Sequence, residues 1–472
     1  MKNSPIKLFN TAARAKQAFK PLKPGHVGMY NCGPTVYDYA HLGHFRAYTF
    51  VDTLKRVLAA SGYKLKTVMN ITDVGHLTSD ADTGEDKMEK AAAEKRMTAW
   101  DLAAFYTTDF FDAMDKLNIA RPDIVCKATE HIPQMIELIK KLEKKGYTYR
   151  TSDGIYYDTY KFKDYAKFAQ LNLKQLQEGA RVEPNPEKRN PPDFALWKFS
   201  PKDSKRQMEW ESPWGTGFPG WHIECSAMDM QYLGDRFDIH TGGIDHIPIH
   251  HTNEIAQSDA AVGHKVVQYW MHNEFVMVEG SKMSKSRKNF YTMADIEARG
   301  VDPLALRYLF LTAHYRSKMN FTWGSLSDAE RALSTLRERT MEFKADKKKP
   351  QRGDVKKAAA YEKEFMLAVN NDLNTPIALA IMWAAVRDAD LAGSAKYELL
   401  MKFDDVLGLR LKDVKPARKE TLSDEVGKLV KMREQFRKDG KYAEADEVRK
   451  RLDSEFGIVI EDTVKGTKWK KK

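Results

Sequence analysis

The stretch CGPTVYDYAHLGHFR, Cys32 to Arg46, joins a predicted strand to a predicted helix. Upstream of it, HVGMYNC (His26 to Cys32) is short, apolar and β-favouring, and it stops at Gly33-Pro34. Downstream, Tyr48, Val51, Leu54 and Leu58 recur at helical spacing as far as Gly62, and YKLKTVMNITDV (Tyr63 to Val74) returns to a strand pattern. Strand, helix and strand make a βαβ unit. The tetrad His41-Leu42-Gly43-His44 then falls at the first turn of the helix, where unpaired backbone N–H groups and the positive dipole end favour an anion. Two imidazoles there can donate to phosphate oxygens. They can equally cap the helix or fill its packing face, and the tetrad alone does not choose between these roles.

A second motif lies about 240 residues on: Lys282-Met283-Ser284-Lys285-Ser286. HLGH followed by KMSKS, with a βαβ unit around the first, resembles the paired signatures of the Rossmann-fold (class I) aminoacyl-tRNA synthetases. Three further stretches narrow the likeness: CGPTVYD after the first strand, PGWHIECSAM (Pro219 to Met228) and FDIHTGGIDHIPIHHTNEIAQ (Phe237 to Gln257). They resemble cysteinyl-tRNA synthetases. The run from Lys428 through Lys470 is similar to that family's anticodon-binding end, so the likeness spans nearly the whole chain.

The resemblance implies an α/β fold: a Rossmann-type nucleotide-binding catalytic domain with an inserted connective segment, followed by an all-α C-terminal region that binds tRNA. It implies activation of L-cysteine by ATP, with Mg2+ as companion, and transfer to the terminal adenosine of cysteine tRNA. It also implies one zinc ion held by Cys32, Cys225, His250 and Glu254. The chemistry suits the substrate: an apolar pocket discriminates poorly against the near-isostere serine, whereas zinc offers a thiol a bond that a hydroxyl cannot match. His250 and Glu254 are four apart and share a helix face; His251 is the rival ligand, and Cys126 is assigned to packing. By the same resemblance Thr72 and Trp221 line the substrate pocket. Gly43, Gly242, Gly243, Asp245, Lys282 and Lys285 belong to the nucleotide site, and His41, His44 and Lys285 stabilise phosphate charge. The chain departs from the family at Thr252, at Gly75-His76 and at Arg287-Lys288.

The chain has 42% apolar and 30% charged residues over 472 positions, the balance of a soluble globular protein of several domains. Its longest apolar run, Ile377 to Val386, is too short for a bilayer span, and MKNSPIKLFN has no signal-peptide core. Three scattered cysteines fit a reducing compartment, so a cytoplasmic monomer is expected. A net charge of +11 favours a polyanionic partner.

The expected organisation is a first Rossmann half at 1–130, a connective insertion at 131–217, a second half with the zinc ligands at 218–280, and the KMSKS region at 281–344. A helical domain at 345–412 and the anticodon-binding end at 413–472 complete it. Gly146 to Pro219 is rich in turns and aromatic strands, Ala345 to Lys357 reads as a charged linker, and five lysines without an acid follow Thr463. Two other readings remain: a cysteine ligase of mycothiol synthesis, which lacks the anticodon-binding end, and an inactive RNA-binding paralogue.

Overall fold

The computed structural model describes residues 5–75, 86–171, 186–201, 206–284, 287, 289–414, 424–463 and 466–471. Five parallel strands form the central sheet: β1 (His26–Asn31), β2 (Lys64–Ile71), β3 (Ile124–Lys127), β4 (Phe237–Gly243) and β5 (Val267–Asn273). Their order is β5-β4-β1-β2-β3, so the chain builds outward from β1 on one side and then returns to lay β4 on the other. Between β1 and β4 the direction of winding reverses. In open parallel sheets that is where the carboxyl ends of two neighbouring strands leave a crevice for a ligand.

Helix α1 (Leu42–Ala60) crosses from β1 to β2 and buries Leu42, Phe45, Leu54, Val57 and Leu58 against the sheet. Helices α2 (Trp221–Leu233) and α3 (His250–Val262) flank β4. Ahead of α2 the connective segment forms its own four-stranded antiparallel sheet, from Thr148–Arg150 through Gly154–Tyr157 and Phe194–Phe199 to Gly217–Pro219. Its last strand delivers the chain to Trp221.

The run Val266 to Val278 reads as one strand by propensity, but the chain breaks it at Glu274-Phe275 and changes sheets. Strand β6 (Val276–Val278) pairs antiparallel with β7 (Ser281–Lys282) and parallel with β8 (Met319–Phe321). The proposed linker is shorter than the charge pattern suggests: helix Trp323–Ala345 precedes it and helix Arg352–Asn370 begins inside it. Helices Thr375–Arg387 and Gly393–Leu407 complete a bundle in which the rings of Phe365 and Phe403 stack at 4.0 Å.

The chain separates into two compact units, 1–414 and 415–472. The second has its own core of Val426, Leu429, Val448, Leu452, Ile458 and Ile460. Two helices, Asp424–Lys438 and Tyr442–Phe456, supply most of it; the chain then ends in an antiparallel hairpin, Ile458–Thr463 with Gly466–Lys471, where the composition suggested only more helix or a solvated tail. Alternation accounts for the hairpin, since Ile458 and Ile460 face the core. Among the described residues no helix is long and apolar enough to cross a membrane.

Candidate active site

A cavity of about 550 Å³ opens at the crevice between β1 and β4. Cys32, Thr72, Trp221, Cys225 and His250 line it, together with His41, Gly43, His44, Gly242, Gly243, Asp245 and Lys282. Lys285, Ser286, Lys288 and most of the unusual 75–87 segment fall outside the described residues.

Cys32 emerges from the end of β1, Cys225 from α2, and His250 and Glu254 from successive turns of α3. Their ligand atoms all lie within 4.8 Å of one another. The Sγ atoms of Cys32 and Cys225 are 4.0 Å apart. A tetrahedral zinc with sulfur at about 2.3 Å needs about 3.8 Å between two sulfurs, so the thiol pair fits. His250 Nε2 meets Glu254 Oε1 at 2.7 Å, a hydrogen bond that a metal ion between them would replace.

A second quartet shares two of these ligands: Cys32, His240, His251 and Glu254 also converge within the same span. His251 Nε2 stands 3.3 Å from Cys32 Sγ, and His240 Nε2 stands 2.8 Å from Glu254 Oε2, off-line for a hydrogen bond but close enough for strong attraction. His251 Nδ1 is held by His272 Nε2 at 2.7 Å, and His272 Nδ1 in turn by Thr11 Oγ1 at 2.8 Å. The sequence offered His251 only as a rival ligand and singled out neither His240 nor His272. All are buried, and two of them, His240 and His272, lie on strands where an isolated histidine in an apolar run carries no motif.

The charges are coupled. Burial disfavours the ionised form of Glu254, but His240 and His250 outweigh it and hold the carboxyl down at about 2. Burial likewise opposes a charged His250, yet Glu254 and Cys32 raise it to about 10; His251 has no such close carboxylate contact, and burial pushes it down to about 4. Burial works against the Cys32 thiolate as well, but the hydrogen bond with Cys225 and the nearby His251 hold it well below the usual thiol range. The same hydrogen bond, with burial, raises Cys225. Without metal the cluster therefore holds protons at Cys225 and His250 that a metal ion would have to displace.

His41 is the N-cap of α1. Its Nδ1 accepts from Gly43 N–H at 3.0 Å, and His44 Nδ1 accepts from His41 N–H at 3.2 Å. The capping role and the phosphate role, alternatives by sequence, are compatible here. A neutral ring whose Nδ1 accepts carries its proton on Nε2, so the cap fixes both imidazoles as Nε2–H donors. Burial pushes His44 down to about 4, which keeps that ring neutral.

Two glycines have packing reasons not visible in the motif. A Cβ on Gly33 would lie 1.5 Å from the Asn70 carbonyl oxygen, and one on Gly242 would lie 2.5 Å from His251 Cε1. Thr72 donates to Glu224 Oε2 at 3.0 Å, and the Trp221 ring stacks on His250 at 4.5 Å. Thr252 donates to the Ile247 carbonyl at 2.7 Å. Cys126 is buried beside the Met69 carbonyl, its thiol pushed up to about 12 by burial. Lys318 and Asn70, unmarked by any sequence motif, also line the cavity.

A parallel sheet in this order, with flanking helices and a crevice between β1 and β4, is that of a class I synthetase fold. Residues 18–331 match the family model described as the tRNA synthetases class I (C) catalytic domain. The chain is 48% identical to cysteine--tRNA ligase 1 of Burkholderia lata over 98% of itself and 96% of that protein. It is 43% identical to the cysteine--tRNA ligase of Treponema denticola over 99% of both chains, and 42% identical to that of Thermus thermophilus over 98% of both. The chain belongs to the cysteine--tRNA ligase family. At the level of fold alone it resembles Mycobacterium tuberculosis methionyl-tRNA synthetase in complex with methionyl-adenylate (TM-score 0.55, 14% identity, 81% of this chain and 90% of that one). It also resembles the leucyl synthetase AgnB2 of Agrobacterium radiobacter K84 in a ternary complex with tRNA (TM-score 0.58, 12% identity, 84% and 85%).

Proposed function

We propose that this chain ligates cysteine to its tRNA in two steps. The cysteine carboxylate attacks the α-phosphate of ATP; an oxygen–phosphorus bond forms to give cysteinyl-adenylate as the bond to pyrophosphate breaks. A ribose hydroxyl of the terminal adenosine of the tRNA then attacks the acyl carbon, forming an ester as the bond to phosphate breaks and AMP leaves. The observation that carries the reading is one cavity lined both by a thiol-and-imidazole cluster and by the paired histidines that cap α1.

No side chain has to be a covalent nucleophile. His41 and His44 are positioned to donate to phosphate oxygens as charge shifts, with Lys282 and Lys285 as the cations and Mg2+ accompanying ATP. The end of β4 serves the nucleoside: Gly242 and Gly243 keep that wall low, and the Asp245 carboxylate can accept ribose hydroxyls. Thr72 and Trp221 enclose the amino acid. Cys32, Cys225, His250 and Glu254 would hold zinc, which when bound supplies selectivity for a thiol over a hydroxyl. The test is ATP–pyrophosphate exchange dependent on cysteine, with tRNA charging and metal analysis on the same sample. Exchange that ignores cysteine, or charging of tRNA with serine at a comparable rate, would overturn the reading.

A further inference from the structure

Arg46 lies one residue beyond the HLGHF run, on the buried side of α1, only 2% exposed. No carboxylate pairs with it among the described residues. Its guanidinium instead meets four backbone carbonyls. Nη1 donates to Glu274 O at 3.1 Å and Phe275 O at 2.6 Å; Nη2 donates to His314 O at 3.1 Å and to Ser317 O. Burial pushes the group down to about 10, partly offset by the Glu274 charge, so it remains a cation at neutral pH.

The two clamped segments are not arbitrary. Glu274-Phe275 is the point where the chain leaves β5 of the central sheet and enters β6, the strand that leads through β7 into Lys282-Met283-Ser284. His314 to Ser317 leads into Lys318 and β8, the strand paired with β6. Glu274, Phe275, Lys282 and Lys318 all line the cavity. One side chain on the histidine helix therefore holds β6 and β8 of the neighbouring three-stranded sheet by their approaches. Only a planar fork with several fixed donors can span four carbonyls; an ammonium has three donors and no fork.

We propose that Arg46 is a positioning residue for adenylate formation, setting the spacing between His41 and His44 at the start of α1 and the sheet that carries Lys282, which opens the run to Ser286 in the sequence. The inference rests on reading that run as the phosphate-contacting loop. Displacing reactive groups by about 1 Å can cost about a hundredfold in rate, whereas the cysteine pocket draws on other elements: the ends of β1 and β2, α2 and α3.

The experiment compares wild type, Arg46→Lys and Lys285→Ala by thermal unfolding, by equilibrium binding of cysteine alone, and by cysteine-dependent ATP–pyrophosphate exchange resolved into kcat and KM for ATP. Arg46→Lys is expected to fold and to bind cysteine within about twofold of wild type, while kcat for exchange drops about tenfold or more. Exchange within twofold of wild type in the folded variant overturns the proposal, as does a parallel loss of cysteine affinity. Failure of Arg46→Lys to fold also overturns it, since Arg46 would then be a residue of the fold. Undiminished exchange in Lys285→Ala refutes the reading of the loop instead, so the two failures are distinguishable.

Discussion

Gly43→Ala separates the capping role of His41 from its role at the phosphates. Gly43 is the second residue of α1, and a Cβ there would lie 2.8 Å from His41 Cε1 and 3.1 Å from its Nδ1. Ordinary contact begins near 3.4 Å, so the ring must retreat by about 0.6 Å or turn away. Its surroundings leave little freedom, because the His44 ring is 4.0 Å away and the Phe290 ring 4.8 Å, centroid to centroid. Losing the cap costs about 1 kcal/mol, while alanine over glycine in a helix returns up to about 1 kcal/mol. Stability should therefore change by less than about 1 kcal/mol. Rate should not be spared: a displaced Nε2–H donor predicts a loss of about ten- to a hundredfold in cysteine-dependent pyrophosphate exchange at saturating ATP. Thermal unfolding and exchange on the same preparation read both quantities. Full exchange activity in a stable variant would show that the His41 ring position does not matter to the chemistry, and a loss of several kcal/mol would make Gly43 a packing residue instead.

Four further outcomes are expected. Lys285→Ala should lower the exchange rate while leaving cysteine affinity in place, which exchange kinetics and direct cysteine binding separate. A chain ending at Val414 should still activate cysteine but charge tRNA poorly, and its charging should lose the steep salt dependence of the full chain. Cys225→Ser should reduce zinc content and the preference for cysteine over serine together, and His251→Ala should do so less than His250→Ala; equal effects of the two histidine variants on metal content would move the ion toward the second quartet. Asp259 accepts from Val266 N–H at 2.9 Å, and burial raises its carboxyl to about 6. The folded state thus holds that proton more tightly than the unfolded one, so a penalty builds as pH rises from about 4 to 6 and reaches about 2–3 kcal/mol at pH 7. Asp259→Asn should raise the melting temperature at pH 7 and leave it nearly unchanged at pH 4.

The parts of this structure legible in the sequence are those where periodicity and a turn signal coincide. HVGMYN, the Tyr48–Leu58 spacing and FDIHTGG give β1, α1 and β4 with little error, because each is a buried element bounded by glycine or proline. Val266 to Val278 shows the limit. Propensity reads a thirteen-residue run rich in valine and aromatic residues as one strand, while the change of sheet at Glu274-Phe275 is held by Arg46, more than 200 positions earlier. Arg46 itself could have been noticed, as a cation on the apolar stripe beside Phe45, but no pattern names its partners. The site divides in the same way. Residues within recognisable runs were found, whereas His240, His272, Lys318 and Asn70 reach the cluster or the cavity through strand pairing and loop placement that sequence spacing does not encode.

Because Cys32 and Glu254 belong to both ligand quartets, the two quartets compete for the same ion. The quartets are not equivalent in reach: Cys225 and His250 border the cavity, while His240 and His251 sit behind it. An ion drawn to the inner pair would satisfy stoichiometric analysis and yet be withdrawn from any thiol in the cavity. Metal content and the fraction of competent molecules are thus independent properties of a preparation, and a sample with a full equivalent of zinc can still be partly silent when its active sites are titrated.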